Sequence, residues 1–464
     1  MGARTANLGM DDSQVSKIEV SPVGMPRGIP YIIGNEAAER FSYYGMRTIL
    51  VVFMTQYLMA RDGALATMSA GDAKAWYHIF MSANYFFPIL GAFVSDIFWG
   101  KYKTIMLLSV VYCLGHLALA LDETRLGLTL GLTLIAVGSG GIKPSVSAHV
   151  GDQFTAENQQ SLSKAFNLFY FSINFGAFFS TMLTPWLLES YGPSVAFGLP
   201  GVLMLLATIV FKMGDKVYVA IPPVGWAAYK KEIFSPQGKK AILNLSVVYV
   251  FISMFWALYD QNGSSWVLQA EKMDRVVNLF GWKFEIMASQ LQAINPILVL
   301  ASIPLFSYWI YPAMERVMNL TSLRKIWIGM FIAALSFVIV AMAESRIQAG
   351  ETVSIMWQVW AFVILTIAEV MVYGTGLEFS YTQAPKSMKS FVMGMFLLTI
   401  SAGNFFAAFV NFFIQNPDGS SKLEGASYYW FFTALITATA VLFIACTRKY
   451  KEECYVQSHD GLGH

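Results

Sequence analysis

Long apolar runs recur twelve times along this chain, and they decide what it can fold into. They cover approximately residues 30–58, 73–97, 104–121, 126–149, 162–189, 194–212, 241–268, 286–311, 325–344, 353–379, 390–414 and 426–447. A bilayer core needs about 20 apolar residues per helical crossing. The runs are continuous and rich in Leu, Phe, Ala and Met, not broken into alternating ten-residue segments, so they read as helices and not as barrel strands. Composition agrees: 56% of the residues are hydrophobic and 13% charged, against about 25% charged in soluble domains. The expectation is an all-α membrane protein with 12 transmembrane helices.

A polar break at Met213 to Lys240, containing a Pro-Pro pair and several lysines, divides the runs six and six. It reads as an exposed linker between two six-helix bundles, the plan of a transporter whose halves rock against each other. The expected layout is a lead over 1–28, a bundle over 29–213, a linker over 214–240, a second bundle over 241–448 and a tail over 449–464. No repeat is obvious by eye, so the duplication rests on helix count. Lys and Arg concentrate at Lys101 and Lys103, Lys212 to Lys240, Arg316 to Lys325, Lys386 and Lys389, and Arg448 to Lys451. By the positive-inside rule this places both termini in the cytoplasm. The first 28 residues contain no apolar core of a cleavable signal and read as a cytoplasmic lead. Cys113, Cys446 and Cys454 form no disulfide framework or metal spacing, and no cofactor motif is present. No basic stretch is interleaved with aromatics, so nucleic-acid binding has no support.

The informative residues are those that lipid would reject. Within the first run, Glu36, Glu39, Arg40, Tyr43, Tyr44 and Arg47 stand at offsets 0, 3, 4, 7, 8 and 11, one stripe of a helix. Each charge at a helix centre costs roughly 2.5–3.5 kcal/mol on insertion scales, so the stripe has to face protein or water. A salt-bridged seam is the plainer alternative. A snorkelling helix end would not need so long a stripe. Lys143 lies in the fourth run among Gly138, Gly140 and Gly141 and before Pro144. It requires an anion from the protein or from a substrate.

Glu36-x-x-Glu39-Arg40-Phe41-x-Tyr43-Tyr44-Gly45 resembles the first-helix signature of the proton-dependent oligopeptide transporters, a branch of the major facilitator superfamily. The resemblance extends through LGAFVSDIFWGKYKTI (Leu90 to Ile105), GSGGIKPSVSAHVGDQF (Gly138 to Phe154), FYFSINFGAF (Phe169 to Phe178), FWALYDQNGSSW (Phe255 to Trp266), QAINPILV (Gln292 to Val299) and GLEFSYTQAPKSMKS (Gly376 to Ser390). These touch both halves. The Tyr77-His78 pair is similar to the animal branch, where that histidine is linked with proton coupling.

The resemblance implies the major facilitator fold and a proton-coupled symporter importing di- and tripeptides by alternating access, functional as a monomer. It implies Arg40, Arg47 and Lys143 toward the peptide carboxylate. Glu378, with Asn174 and Asn295, would face the amino group, and Tyr43, Tyr44, Tyr85, Trp256 and Phe396 would line the walls. Glu36, Glu39, Arg40 and His78 are the candidates for proton coupling, and an imidazole suits a switch near neutrality. Arg47 and Asp260 form a candidate gate pair between the halves. Plainer readings stay open for several of these. Glu378 is near a helix end and can be simply hydrated, buried Asn often only ties helices together, and His78 can be a hydrogen-bonded helix-end histidine.

The chain departs from the pattern in places. It has no room for the two extra helices of many bacterial relatives, nor for the outer domain that animal relatives carry between helices nine and ten. It has Asp260 where bacterial members often have Glu, and it lacks a tryptophan often found in the eleventh helix. The short loops suggest a bacterial inner-membrane protein. Relatives of this architecture that carry nitrate, other anions or drugs are the alternative; those substrates need no amine-binding carboxylate. An intramembrane enzyme would need a nucleophile and base or a metal motif, and the sequence has neither.

Overall fold

The computed structural model describes residues 24–450 apart from 155–157, 159–160, 220, 224, 227–229, 231–233, 280, 384–388, 417–419 and 449. Most of the expected lead, parts of the linker, and the tail beyond Tyr450 therefore lie outside the described residues. The first half consists of α1 (Ile29–Val52, continued by a π-helical turn at Phe53–Tyr57), α2 (Ala70–Val94), α3 (Lys101–Leu121), α4 (Arg125–Asp152), α5 (Leu162–Tyr191) and α6 (Pro193–Met213). The second half begins with α7 (Pro236–Tyr259), extended by a 3-10 turn at Asp260–Gly263 and a short helix at Ser265–Ala270. It continues with α8 (Ile294–Leu305), α9 (Ser322–Gln348), α10 (Met356–Glu369, a π-helical turn at Val370–Gly374, then Thr375–Gln383), α11 (Lys389–Phe413) and α12 (Ala426–Thr447).

Among the described residues eleven helical segments are long and apolar enough to cross a membrane. The polar stripe keeps α1 out of that number, and with it the bundle has twelve. The lipid-facing side is visible on α3, where Leu107, Val110, Leu114, Leu117 and Leu121 stay exposed at helical spacing. Two separate apolar cores form. One is built from α1 to α6 around Tyr43, Met81, Tyr112 and Phe197, the other from α7 to α12 around Phe255, Trp266, Phe337 and Phe432. The halves meet where α2 packs on α11 and where α5 packs on α8.

Local chemistry explains the boundaries. Ser235 caps α7, its hydroxyl accepting from the Gly238 N–H at 3.0 Å, and Pro236 occupies the first helical turn. The helix thus starts five residues before its apolar run. One feature departs from the all-α expectation: Val276–Leu279 pairs antiparallel with Trp282–Glu285. Gly281, at φ +90°, sits in the turn, a conformation other residues avoid. The hairpin lies between the seventh and eighth helices, so it does not offend the requirement that spanning segments satisfy their own backbone.

Small residues bring α4 close to its neighbours. A Cβ on Gly91 would collide with the Gly141 backbone, and one on Gly138 would meet Tyr112 Cβ at 2.8 Å. This close approach fixes the depth at which Ser139 and Lys143, one turn apart on α4, enter the centre of the first half.

Candidate functional site

The α1 stripe faces inward, away from lipid. Glu36, Glu39, Tyr43 and Arg47 are buried, with Arg40 and Tyr44 half-buried. Arg40 Nε donates to Glu36 Oε1 at 2.6 Å and stands 3.2 Å from Glu39 Oε2. Glu39 Oε1 accepts from the Ser139 hydroxyl at 2.7 Å. Lys143 lies within electrostatic range of both carboxylates. Its Nζ sits 3.9 Å from the centre of the Tyr43 ring and 4.7 Å from that of Tyr85, and among the described residues it has no hydrogen-bond partner. Ring faces attract a cation but do not satisfy its N–H donors. A buried ammonium so held is an open receptor for an anion.

A second cluster crosses between the halves. Arg47 Nε donates to Tyr77 Oη at 2.8 Å, and its Nη2 donates to Asp260 Oδ1 at 2.9 Å. Asp260 Oδ2 accepts from Asn404 Nδ2 at 2.6 Å. His78 Nδ1 is 2.7 Å from Asn404 Oδ1, and its Nε2 is 3.1 Å from the Ser264 hydroxyl. Groups from α1, α2, α7 and α11 thus form one chain of polar contacts. Tyr77 enters the sequence reading only as the partner of His78 in a motif, without a role of its own, and Asn404 does not enter it: one amide in an apolar helix carries no local signal.

The third cluster is in the second half. Asn295 Nδ2 donates to Glu369 Oε2 at 2.7 Å and to Thr366 Oγ1 at 3.2 Å, and Tyr259 lies within electrostatic range of Glu369. Trp256 packs edge-on against Tyr259 and Tyr373, with its indole N–H buried and without a partner. Glu369 is the last residue before the π-helical turn of α10, a local widening that recurs at functional sites. Tyr44 links the clusters, lying within electrostatic range of Arg40, Arg47, Glu369 and Glu39.

One expected residue sits apart from the clusters, and two others make contacts of their own. Glu378 is exposed on the last segment of α10, apart from the buried groups; Glu369 is the carboxylate this helix brings to the centre. The criterion that picked out the α1 stripe, a charge at the middle of an apolar run, fits Glu369 and not Glu378. Asn174 donates to the Tyr170 carbonyl of its own helix at 2.9 Å, so its amide hydrogen bond is local. Phe396 is buried in the second core, against Tyr249 and Tyr373.

The arrangement places two cations, Arg40 and Lys143, in one half and an amide-supported carboxylate, Glu369, in the other, with aromatic rings between. Comparison with known proteins agrees with this architecture. The family model described as PTR2, POT family, matches residues 102–235 and 230–431. Solute carrier family 15 member 2 of Mus musculus is 38% identical over 70% of this chain and 49% of its own length. Peptide transporter family 1 of Drosophila melanogaster is 36% identical over 73% of the chain and 49% of its own length. The chain therefore spans about half the length of these curated relatives. Among solved structures, an auto-inhibited POT family peptide transporter superposes with a TM-score of 0.83 at 33% identity, covering 93% of this chain and 99% of the other. The POT family transporter PepTSo gives 0.80 at 34%, covering 92% and 99%. The chain belongs to the POT family.

Proposed function

We propose that this chain is a proton-coupled symporter that imports di- and tripeptides by alternating access, working as a monomer. It would lie in the plasma membrane, a bacterial inner membrane by its short loops, with both termini cytoplasmic. The observation that carries the reading is the opposition of charges across the halves: Lys143, without a hydrogen-bond partner among the described residues, beside Arg40 on one side, and a half-buried Glu369 on the other. A free peptide is a zwitterion. Its carboxylate would take Lys143 and Arg40, and its ammonium would take Glu369 with Asn295 supporting. Tyr43, Tyr44, Tyr85 and Trp256 offer apolar walls with few fixed polar groups, which suits broad side-chain tolerance.

Charge arithmetic then supplies the coupling. Glu36 and Glu39 balance Arg40 and Lys143. A peptide carboxylate entering this group leaves one buried negative charge in excess, and an uncompensated buried charge costs several kcal/mol. A proton taken up by Glu36 or Glu39 removes it, so peptide and proton favour each other's binding. The Arg47–Asp260 pair ties α1 to α7 and would act as a gate when the halves part. His78, bound to the same cluster, is the second proton-coupling candidate.

Uptake of a labelled dipeptide into proteoliposomes tests the reading. Accumulation is expected with an inward proton gradient and its loss when the gradient is collapsed. Gradient-independent uptake would overturn the coupling, and competition by nitrate but not by peptides would establish the anion-carrier alternative instead. The gate has its own test. Arg47→Asp and Asp260→Arg should each lower uptake on the order of a hundredfold, since removing one partner of a buried pair costs about 3–5 kcal/mol. The double swap should regain a large part of the loss. Additive losses would show that the two residues act separately.

A further inference from the structure

The carboxamide of Asn404 has only one orientation that satisfies its surroundings. Its Nδ2 faces Asp260 Oδ2 at 2.6 Å and the Ile400 carbonyl at 3.0 Å. A carbonyl can only accept, and so can an ionised carboxylate paired with Arg47. The amide nitrogen must therefore point at them, which leaves Oδ1 toward His78 Nδ1 at 2.7 Å. Oδ1 is an acceptor, so Nδ1 has to carry the hydrogen. Nε2 is then the acceptor in its 3.1 Å contact with the Ser264 hydroxyl. All of these groups are buried.

We propose that Asn404 is a positioning residue of the proton-coupling apparatus: its amide links His78 of α2 to Asp260 of α7 and holds the imidazole as the Nδ1–H tautomer, so that Nε2 alone can receive a proton. This rests on the proposed role of His78 in coupling. The proton arrives from the Ser264 side, where the hydroxyl has to turn from donor to acceptor. The pair then becomes imidazolium N–H donating to Ser264 Oγ, and the hydroxyl hydrogen needs a new acceptor. Asn404 also keeps the imidazole off Asp260. The carboxylate stays available to Arg47, and the gate pair is undisturbed until the imidazole changes charge. The charged groups around this chain are Lys74 one turn earlier on α2, Arg47 from α1, Asp260 from α7 and Lys143 from α4. Tyr77 reaches it through Arg47. The described side chains of α11 add no charge.

The test compares Asn404→Ala, Asn404→Asp and His78→Asn in proteoliposomes, measuring the pH profile of gradient-driven dipeptide uptake and peptide counterflow. Asn404→Ala is expected to lower gradient-driven uptake at least about tenfold while counterflow persists, since a buried imidazole without its partner loses its fixed orientation. Asn404→Asp is nearly isosteric and covers the case in which the alanine variant fails to assemble. It sets a carboxylate against Nδ1–H and against Asp260 Oδ2, so the two carboxylates must share a proton, and the pH midpoint of uptake should move upward by about one unit or more. Parent-like profiles in both Asn404 variants, with His78→Asn uncoupled, would overturn the relay and leave the role of His78 intact. A fully coupled His78→Asn would overturn both.

Discussion

Replacing Glu39 by Gln is expected to abolish pH-driven accumulation of peptide and to leave counterflow running. Glu36→Gln should do the same. Both carboxylates are buried, and both lean on the single guanidinium of Arg40, at 2.6 Å and 3.2 Å. Gln keeps the shape and an acceptor oxygen but is permanently neutral, as a protonated Glu is. In such a variant the peptide carboxylate meets Arg40 and Lys143 with no excess negative charge, so its arrival no longer calls for a proton. Binding and exchange survive, while the link to the gradient does not. The expected loss in gradient-driven accumulation is on the order of a hundredfold, the equivalent of about 3 kcal/mol of coupling. The measurement is the ratio of accumulated to external peptide at low and neutral external pH, with counterflow as the control for folding. Parent-like accumulation in both variants would remove these residues from the coupling step. The two need not be equal. Glu39 Oε1 accepts from Ser139 on α4, the helix that carries Lys143, whereas Glu36 Oε1 accepts from Arg40 of its own helix. A larger defect in Glu39→Gln would place the proton at the oxygen nearer the substrate.

What could be read in advance follows from the range of each interaction. The twelve crossings were legible because hydropathy is local and the bilayer sets their length. The α1 stripe was legible because six polar groups at helical spacing cannot all face lipid. Arg47 and Asp260 were paired from motif register, and they meet at 2.9 Å. Asn404 was not legible, since it stands 326 residues from His78 and an isolated amide in an apolar run has many innocent explanations. The exposed hairpin at 276–285 was hidden by its brevity between two long helices. The π-helical turns, at Phe53–Tyr57 and Val370–Gly374 among others, also have no period that a sequence shows. Phe396 is a wall residue by resemblance alone; its packing against Tyr249 and Tyr373 is a contact that the type of an aromatic does not foretell.

Glu369→Gln is expected to reduce uptake of an unmodified dipeptide on the order of a hundredfold, with Glu378→Gln within about twofold of the parent. The two residues stand on one helix, yet they occupy different surroundings. Glu369 receives Asn295 at 2.7 Å, with Tyr259 and Tyr373 in electrostatic range, and a hydrogen bond to a charged group is worth about 1.5–3 kcal/mol. Glu378 is exposed, where a carboxylate is hydrated and an ion pair contributes little. A peptide ammonium that reaches Glu369 exchanges water for a carboxylate already oriented by a neutral donor, and Gln can offer it one carbonyl oxygen without charge. Chemistry on the substrate separates this from a general packing defect. An N-acetylated dipeptide has no ammonium to lose, so its weak transport should be the same in the parent and in Glu369→Gln. The ratio of free to acetylated substrate, measured by competition against a labelled dipeptide, should therefore collapse toward one in Glu369→Gln alone. If it collapses in Glu378→Gln instead, the amino group is read at the C-terminal end of α10, and the central cluster has some other task. If it collapses in neither, opposed charges across the halves do not orient the peptide, and recognition rests on Arg40 and Lys143 alone.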